Sequence, residues 1–226
     1  MNYLIVAAHP DDEVLGMGGT MYKLARSGNN VAVCILSGSV LARHRKPASD
    51  VLTQNLNDSA SLIGVSRVIT GDFPNIEFNN ASHLSLVQFI ETAIIETNAD
   101  VVVTHHPADT NNDHLHTTLA CQAAIRIFQR RSDVKPISEF MFMEVPSATD
   151  WSVNHAVEMF KPTTYFEIGE EGIDMKIKAL SLYEGVMRDF PHPRSAEVLK
   201  GLAAYRGGQS GFMYAEAFQS VFRRIV

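Results

Sequence analysis

The stretch Tyr3-Leu4-Ile5-Val6-Ala7-Ala8-His9-Pro10-Asp11-Asp12-Glu13 decides the fold. An unbroken apolar, partly β-branched run reads as a buried strand. It passes directly into a crowd of ligand-type side chains at its carboxyl end, where open α/β sheets place their sites. The segment from Glu13 to about Ser27 puts Leu15, Met21, Leu24 and Ala25 mostly on one side and stops at Gly28-Asn29-Asn30. That pattern predicts an amphipathic helix with a glycine at its C-terminal end.

Working outward, further apolar runs occur at Val31–Leu36, Arg67–Thr70, Val101–Thr104 and Phe140–Val145. Helix-like segments fall between them at Ala48–Ile63, Ser82–Asn98 and Asp113–Arg131, with Ser82 and Asp113 where N-caps would stand. Strand–helix alternation means a parallel sheet with helical crossovers, an α/β doubly wound, mostly parallel sheet with helices on both faces. Beyond Val145 the sequence suggests a strand at Thr164–Ile168, helices at Ile173–Arg188 and Ser195–Arg206, and an α-rich tail. There is no repeat, low-complexity tract or linker-like shift, so residues 1–226 read as one domain.

Composition narrows the function classes. With 46% hydrophobic and 19% charged residues the chain is ordinarily globular. A net charge of −6 has the wrong sign for a protein that lives on nucleic-acid backbone. No apolar run approaches a membrane span, and Met1–Ala8 meets Asp11, Asp12 and Glu13 instead of a cleavage site, so the expectation is a soluble, cytoplasmic protein. Cys34 and Cys121 are too few for a disulfide framework and read as reduced core residues. The number of subunits is not fixed, and a homo-oligomer stays open.

The chemistry lies in two clusters. His9 and Asp12 are three apart across the strand-to-helix turn and can converge on one point, while Asp11 leaves the chain in another direction. The second cluster, Thr104-His105-His106-Pro107-Ala108-Asp109-Thr110-Asn111-Asn112-Asp113-His114-Leu115-His116, follows the fourth strand. In a sheet ordered 3-2-1-4-5, strands 1 and 4 are neighbours where the order reverses, so both clusters face one crevice. His9, Asp12 and one later histidine would make a common catalytic zinc set, with Asp11 left over to take a proton. His114 and His116 are two apart and cannot share a helix face, so at most one of them is a ligand.

Ala8-His9-Pro10-Asp11-Asp12-Glu13, together with Asp113-His114 opening a helix, resembles the signature of the PIG-L / LmbE-like zinc-dependent N-deacetylases. The resemblance implies a Rossmann-like fold and hydrolysis of an N-acyl group, usually N-acetyl on a glucosamine-containing substrate. It also implies a single Zn²⁺ on His9, Asp12 and His114, Asp11 as general base, and Asp113 as the group that orients the site. Many members carry a histidine three residues before the ligand histidine, to stabilise the oxyanion; this chain has Asn111, which donates a neutral hydrogen bond but cannot carry charge. A replacement candidate is His192, stiffened between Pro191 and Pro193; the alternative for it is a rigid surface turn. The stretch around it, with Arg206-Gly207-Gly208 and Ala215-Glu216-Ala217-Phe218, is similar to the C-terminal region of some bacterial members.

For substrate binding, Arg43 and Arg45 follow the second strand and suit a phosphate, carboxylate or sugar hydroxyl, as does Arg194. Asn75 follows the third strand, where the family often has an acid that hydrogen-bonds the sugar. An acidic chain with basic site loops suits a small N-acetylated, anionic sugar conjugate or sugar nucleotide. Gly16-Met17-Gly18-Gly19 superficially suggests a dinucleotide loop, but these glycines come too late after the strand, position 21 is Met, and Ser37-Gly38 ends the second strand without a ribose-binding acid. Two rivals keep the metal: a hydratase of a small unsaturated carboxylic acid, and a zinc-bearing member without catalysis. The retained Asp11 argues against the second.

Overall fold

The chain alternates strand and helix through β1 (Asn2–Ala7), α1 (Asp12–Arg26), β2 (Asn30–Ile35), α2 (Ser49–Ile63), β3 (Arg67–Thr70), α3 (His83–Thr97), β4 (Val101–His105), α4 (Asn112–Ala124) and β5 (Glu139–Met143). It then adds β6 (Thr164–Glu167), α5 (Gly169–Ser181), α6 (Ala196–Ser210) and β7 (Ala215–Arg223). This is a computed structural model, and it describes residues 1–40, 47–153 and 158–225. The strands form one sheet in the order β3-β2-β1-β4-β5-β7-β6. The first five pair in parallel, as the alternation predicts, and the order reverses between β1 and β4, as in the doubly wound order 3-2-1-4-5.

The two-residue period of the strands divides the core in two. Tyr3, Ile5 and Ala7 join Val31, Val33, Ile35, Val101 and Val103 in a cluster with apolar residues of α1, α2, α5 and α6. Leu4, Val6 and Ala8 join Ala32, Cys34, Leu36 and Val102 in a second cluster with α3 and α4. Helices therefore cover both faces, and Cys34 and Cys121 are both buried free thiols.

The tail differs from its α-rich expectation. Ala215–Arg223 is a strand, antiparallel to both β5 and β6. Its buried Glu216 hides the strand signal and has a structural task. Met17 (φ −143) interrupts α1, so the turn that restarts after it has amide groups without intrahelical acceptors. Glu216 accepts from Gly19 N–H at 3.1 Å and Thr20 N–H at 2.7 Å, and from Lys176 Nζ at 2.7 Å. The glycines of this segment serve packing: a Cβ on Gly19 would stand 2.8 Å from Ile168 Cδ1.

Some boundaries also move. Asn111, not Asp113, caps α4: its Oδ1 accepts the Asp113 N–H at 2.9 Å, which places Asp113 inside the first turn. α4 ends at Ala124 rather than Arg131. α5 starts at Gly169, ahead of the apolar periodicity that begins at Ile173, and stops at Ser181 rather than Arg188.

Candidate active site

Because β1 and β4 are neighbours, the turn after β1 and the loop after β4 meet at one end of the sheet. Asp12 opens α1 and His114 lies in the first turn of α4. His9 Nδ1 and His114 Nε2 each stand 3.2 Å from the same Asp12 oxygen, Oδ2. One ligand-type atom from each residue lies within 4.8 Å of the other two, and all three residues are buried.

Each histidine is oriented from behind by a carboxylate. His9 Nε2 is 2.9 Å from Asp113 Oδ2, and His114 Nδ1 is 2.9 Å from Asp109 Oδ2. Asp113 also accepts from the amides of Ile76 (2.6 Å) and Phe78 (3.0 Å), fastening the loop after β3 to the site. With the outer N–H of each ring donated to its carboxylate, the inner nitrogens present lone pairs to an acceptor-only Asp12. Three acceptors facing one another match a divalent cation, and carboxylate-backed histidines are what metal ligands generally need. The residues present therefore fit zinc.

Without a cation, protons must balance this charge. Burial pushes the His114 ring down, but Asp12 and Asp109 outweigh it and hold it up to about 10. His9 is likewise raised, with burial opposed by Asp113 and Asp12. Burial pushes Asp12 up, yet the His114 and His9 partners keep it well below the usual carboxylate range. Asp113 is also lowered, because its bonds to His9 and the Phe78 amide overcome burial.

Asp11 sits beside this triad in left-handed backbone (φ 112), a costly conformation for a residue with a Cβ. Its amide donates to Glu13 Oε2 at 3.0 Å, and Tyr183 Oη–H donates to Glu13 Oε1 at 2.5 Å. Its own carboxylate accepts from Arg194 Nη1 at 3.1 Å, while Arg194 Nε donates to Ser147 Oγ at 2.7 Å. Ser147 is another positive-φ residue (φ 74). The sequence places Glu13 and Asp109 within the two clusters without assigning them a role, and it carries no signal for Ser147 or Tyr183 as site residues.

Of the remaining candidates, Asn75 is buried and directly precedes Ile76, whose amide binds Asp113. Asn111 uses Oδ1 to cap α4. His192 is exposed, on the turn that carries Arg194, and its Nδ1 accepts the Arg194 amide at 3.0 Å. Arg43 and Arg45 lie outside the described residues. Among the competing histidines, His105 stacks on His114 with ring centroids 3.7 Å apart. Its Nε2 accepts the Ala8 amide and stays 3.9 Å from Asp12, so His105 supports the ring that reaches Asp12. His106 packs edge-on against Phe142 and Phe160, and its Nδ1 accepts the Ala108 amide. His116 is partly exposed on α4.

The PIG-L family profile, described as GlcNAc-PI de-N-acetylase, matches residues 4–125, more than half of the chain and both ligand clusters. The chain belongs to the PIG-L family. It is similar to a diacetylchitobiose deacetylase of Thermococcus kodakarensis, 23% identical over 96% of this chain and 82% of the relative. A Pyrococcus horikoshii N,N'-diacetylchitobiose deacetylase, solved with an inhibitor, shares the fold: TM-score 0.78, 19% identity, 97% of this chain and 83% of that one. So does a 4-carboxy-2-hydroxymuconate hydratase of Pseudomonas putida, with TM-score 0.79 and 22% identity over 100% and 98% of the two chains. At such identities the solved structures speak for the PIG-L fold alone. Among the described residues no helix is long and apolar enough to cross a membrane.

Proposed function

We propose that this PIG-L family member is a zinc-dependent amidohydrolase that removes an N-acetyl group from a small, amino-sugar-containing molecule. The observation that carries the proposal is the convergence of His9 Nδ1, Asp12 Oδ2 and His114 Nε2, with Asp11 held outside that triad. Zinc bound by these three residues would supply Lewis acidity and a water acidified to a pKa of about 7.

Asp11 takes a proton from the water that attacks the acyl carbonyl carbon, then returns it to the departing amine, so one carboxylate serves as base and acid. Glu13 holds the Asp11 backbone and Arg194 holds its carboxylate, and together they fix its aim. Asp113 and Asp109 keep the rings of His9 and His114 in the ligating tautomers. Asn111 retains Nδ2–H and His192 retains Nε2–H after their observed contacts, and these are the proposed donors to the oxyanion. Arg194 and Asn75, with Arg43 and Arg45, are assigned to the polar groups of the substrate.

A second reading is favoured by one contact. Arg194, beside Asp11, would suit the carboxylate of an unsaturated acid, to whose carbon–carbon double bond the same site could add water. The test runs purified, zinc-supplemented protein against N-acetylated sugars, sugar nucleotides and lipid-linked sugars for free-amine release, and against conjugated acids for loss of chromophore. Amine release without chromophore loss is expected; the reverse pattern overturns the deacetylase assignment.

A further inference from the structure

A cavity of about 290 Å³ adjoins the segments that carry Ser147 and Arg194, the pair whose guanidinium side reaches Asp11. Its walls include Val145, Pro146, Phe160, Pro193, Val198 and Leu202. Pro146 and Pro193 are the chain neighbours of Ser147 and Arg194, so the cavity wall is continuous in sequence with the clip that grips the Asp11 carboxylate.

Three polar groups of the lining, Glu144, Arg206 and Thr149, are already engaged with the protein. Arg206 forms a fork on Glu144, with Nε–Oε1 and Nη2–Oε2 both at 2.7 Å, and lies over the Phe160 ring at 5.8 Å. Thr149 Oγ accepts the Val145 amide at 2.8 Å. Asp150 is an exposed lining residue, which disfavours an anionic occupant. What remains is stiff apolar surface from two prolines, an aromatic ring and branched side chains. At about 30 Å³ per water-sized group the space suits roughly ten such groups, one ring or a short chain.

We infer that this cavity is a subsite for an uncharged aryl or short-alkyl group attached to the amino sugar, held while the N-acyl group lies against Asp11. The inference rests on the amidohydrolase proposal for its reaction and on the cavity alone for its binding. The test therefore measures both. Binding of phenyl and methyl N-acetyl-β-glucosaminide to the purified protein is followed by calorimetry, and acetate release from each by kcat/KM. The phenyl glycoside should bind at least about tenfold tighter. Leu202→Trp, which fills the cavity from α6, should bring the phenyl-to-methyl ratio to about one. Should that variant fail to fold by circular dichroism, Leu202→Ala must instead move the preference from phenyl toward naphthyl.

Phenyl binding no tighter than methyl, absence of binding of both included, overturns the subsite. A phenyl preference that survives Leu202→Trp, or fails to move in Leu202→Ala, overturns it as well. If the preference is present and responds as stated but no acetate appears, the subsite stands and the deacetylase proposal falls.

Discussion

Glu13 is 2% exposed, and burial, reinforced by the Asp11 charge and only partly offset by the Tyr183 hydrogen bond, lifts its carboxyl from 4.5 to about 8. A carboxyl raised in the folded state favours the protonated form. The stability it contributes is complete below pH 4.5 and is lost as pH rises through about 8. Glu13→Gln keeps the shape and can still accept the Asp11 amide with Oε1 and donate to the Tyr183 oxygen with Nε2, but it cannot ionise. Relative to that variant, the metal-free wild type should lose about 1.4 kcal/mol per pH unit across this window, with a ceiling of roughly 5 kcal/mol by its upper end. Urea unfolding of both proteins in chelator, at intervals from about pH 5 to about pH 8, reads the difference directly. A wild-type-minus-variant difference that stays flat with pH would mean Glu13 is ionised throughout, and the account of the Asp11 support would be wrong.

Asp109→Asn and Asp113→Asn should each weaken zinc binding about 10- to 100-fold, because each loosens the ring of a different ligand histidine; chelator competition measures this. An unchanged zinc affinity in Asp109→Asn would remove His114 from the ligand set. Glu216→Gln leaves Lys176 as a buried cation without its carboxylate and weakens the capping of the interrupted α1, so it should cost about 3–5 kcal/mol in chemical denaturation. A loss below about 1 kcal/mol would show that the strand β7 contact is not structural.

What could be read from sequence was what the chain makes locally. His9 and Asp12 converge because a strand end and a helix start are three residues apart, and strand–helix alternation implies a parallel sheet, which in the doubly wound order 3-2-1-4-5 makes β1 and β4 neighbours. His105, His106, His114 and His116 are equivalent by residue type. The family resemblance singles out His114 through Asp113-His114, and the structure supplies the physical reason: His114 alone of these reaches Asp12 at bonding distance while His105 spends its Nε2 on the Ala8 amide. Tyr183 and Glu13 meet across 170 residues, and no spacing rule links them. Strand β7 escaped because Ala, Glu, Gln and Arg dominate it. Glu216 there is buried by its bonds to α1 and Lys176, so the apolar alternation that marks a strand is missing. Arg194 could be nominated as a basic residue, but its grip on Asp11 could not.

The measurement that bears most directly on the central claim pairs zinc content with acetate release in Asp11→Asn and Asp12→Asn. Asp11→Asn should keep a single zinc per chain and lose about 10²- to 10⁴-fold in rate, whereas Asp12→Asn should lose both metal and activity. Zinc lost from Asp11→Asn and retained in Asp12→Asn would reverse the two neighbouring acids and contradict the division of labour between base and ligand.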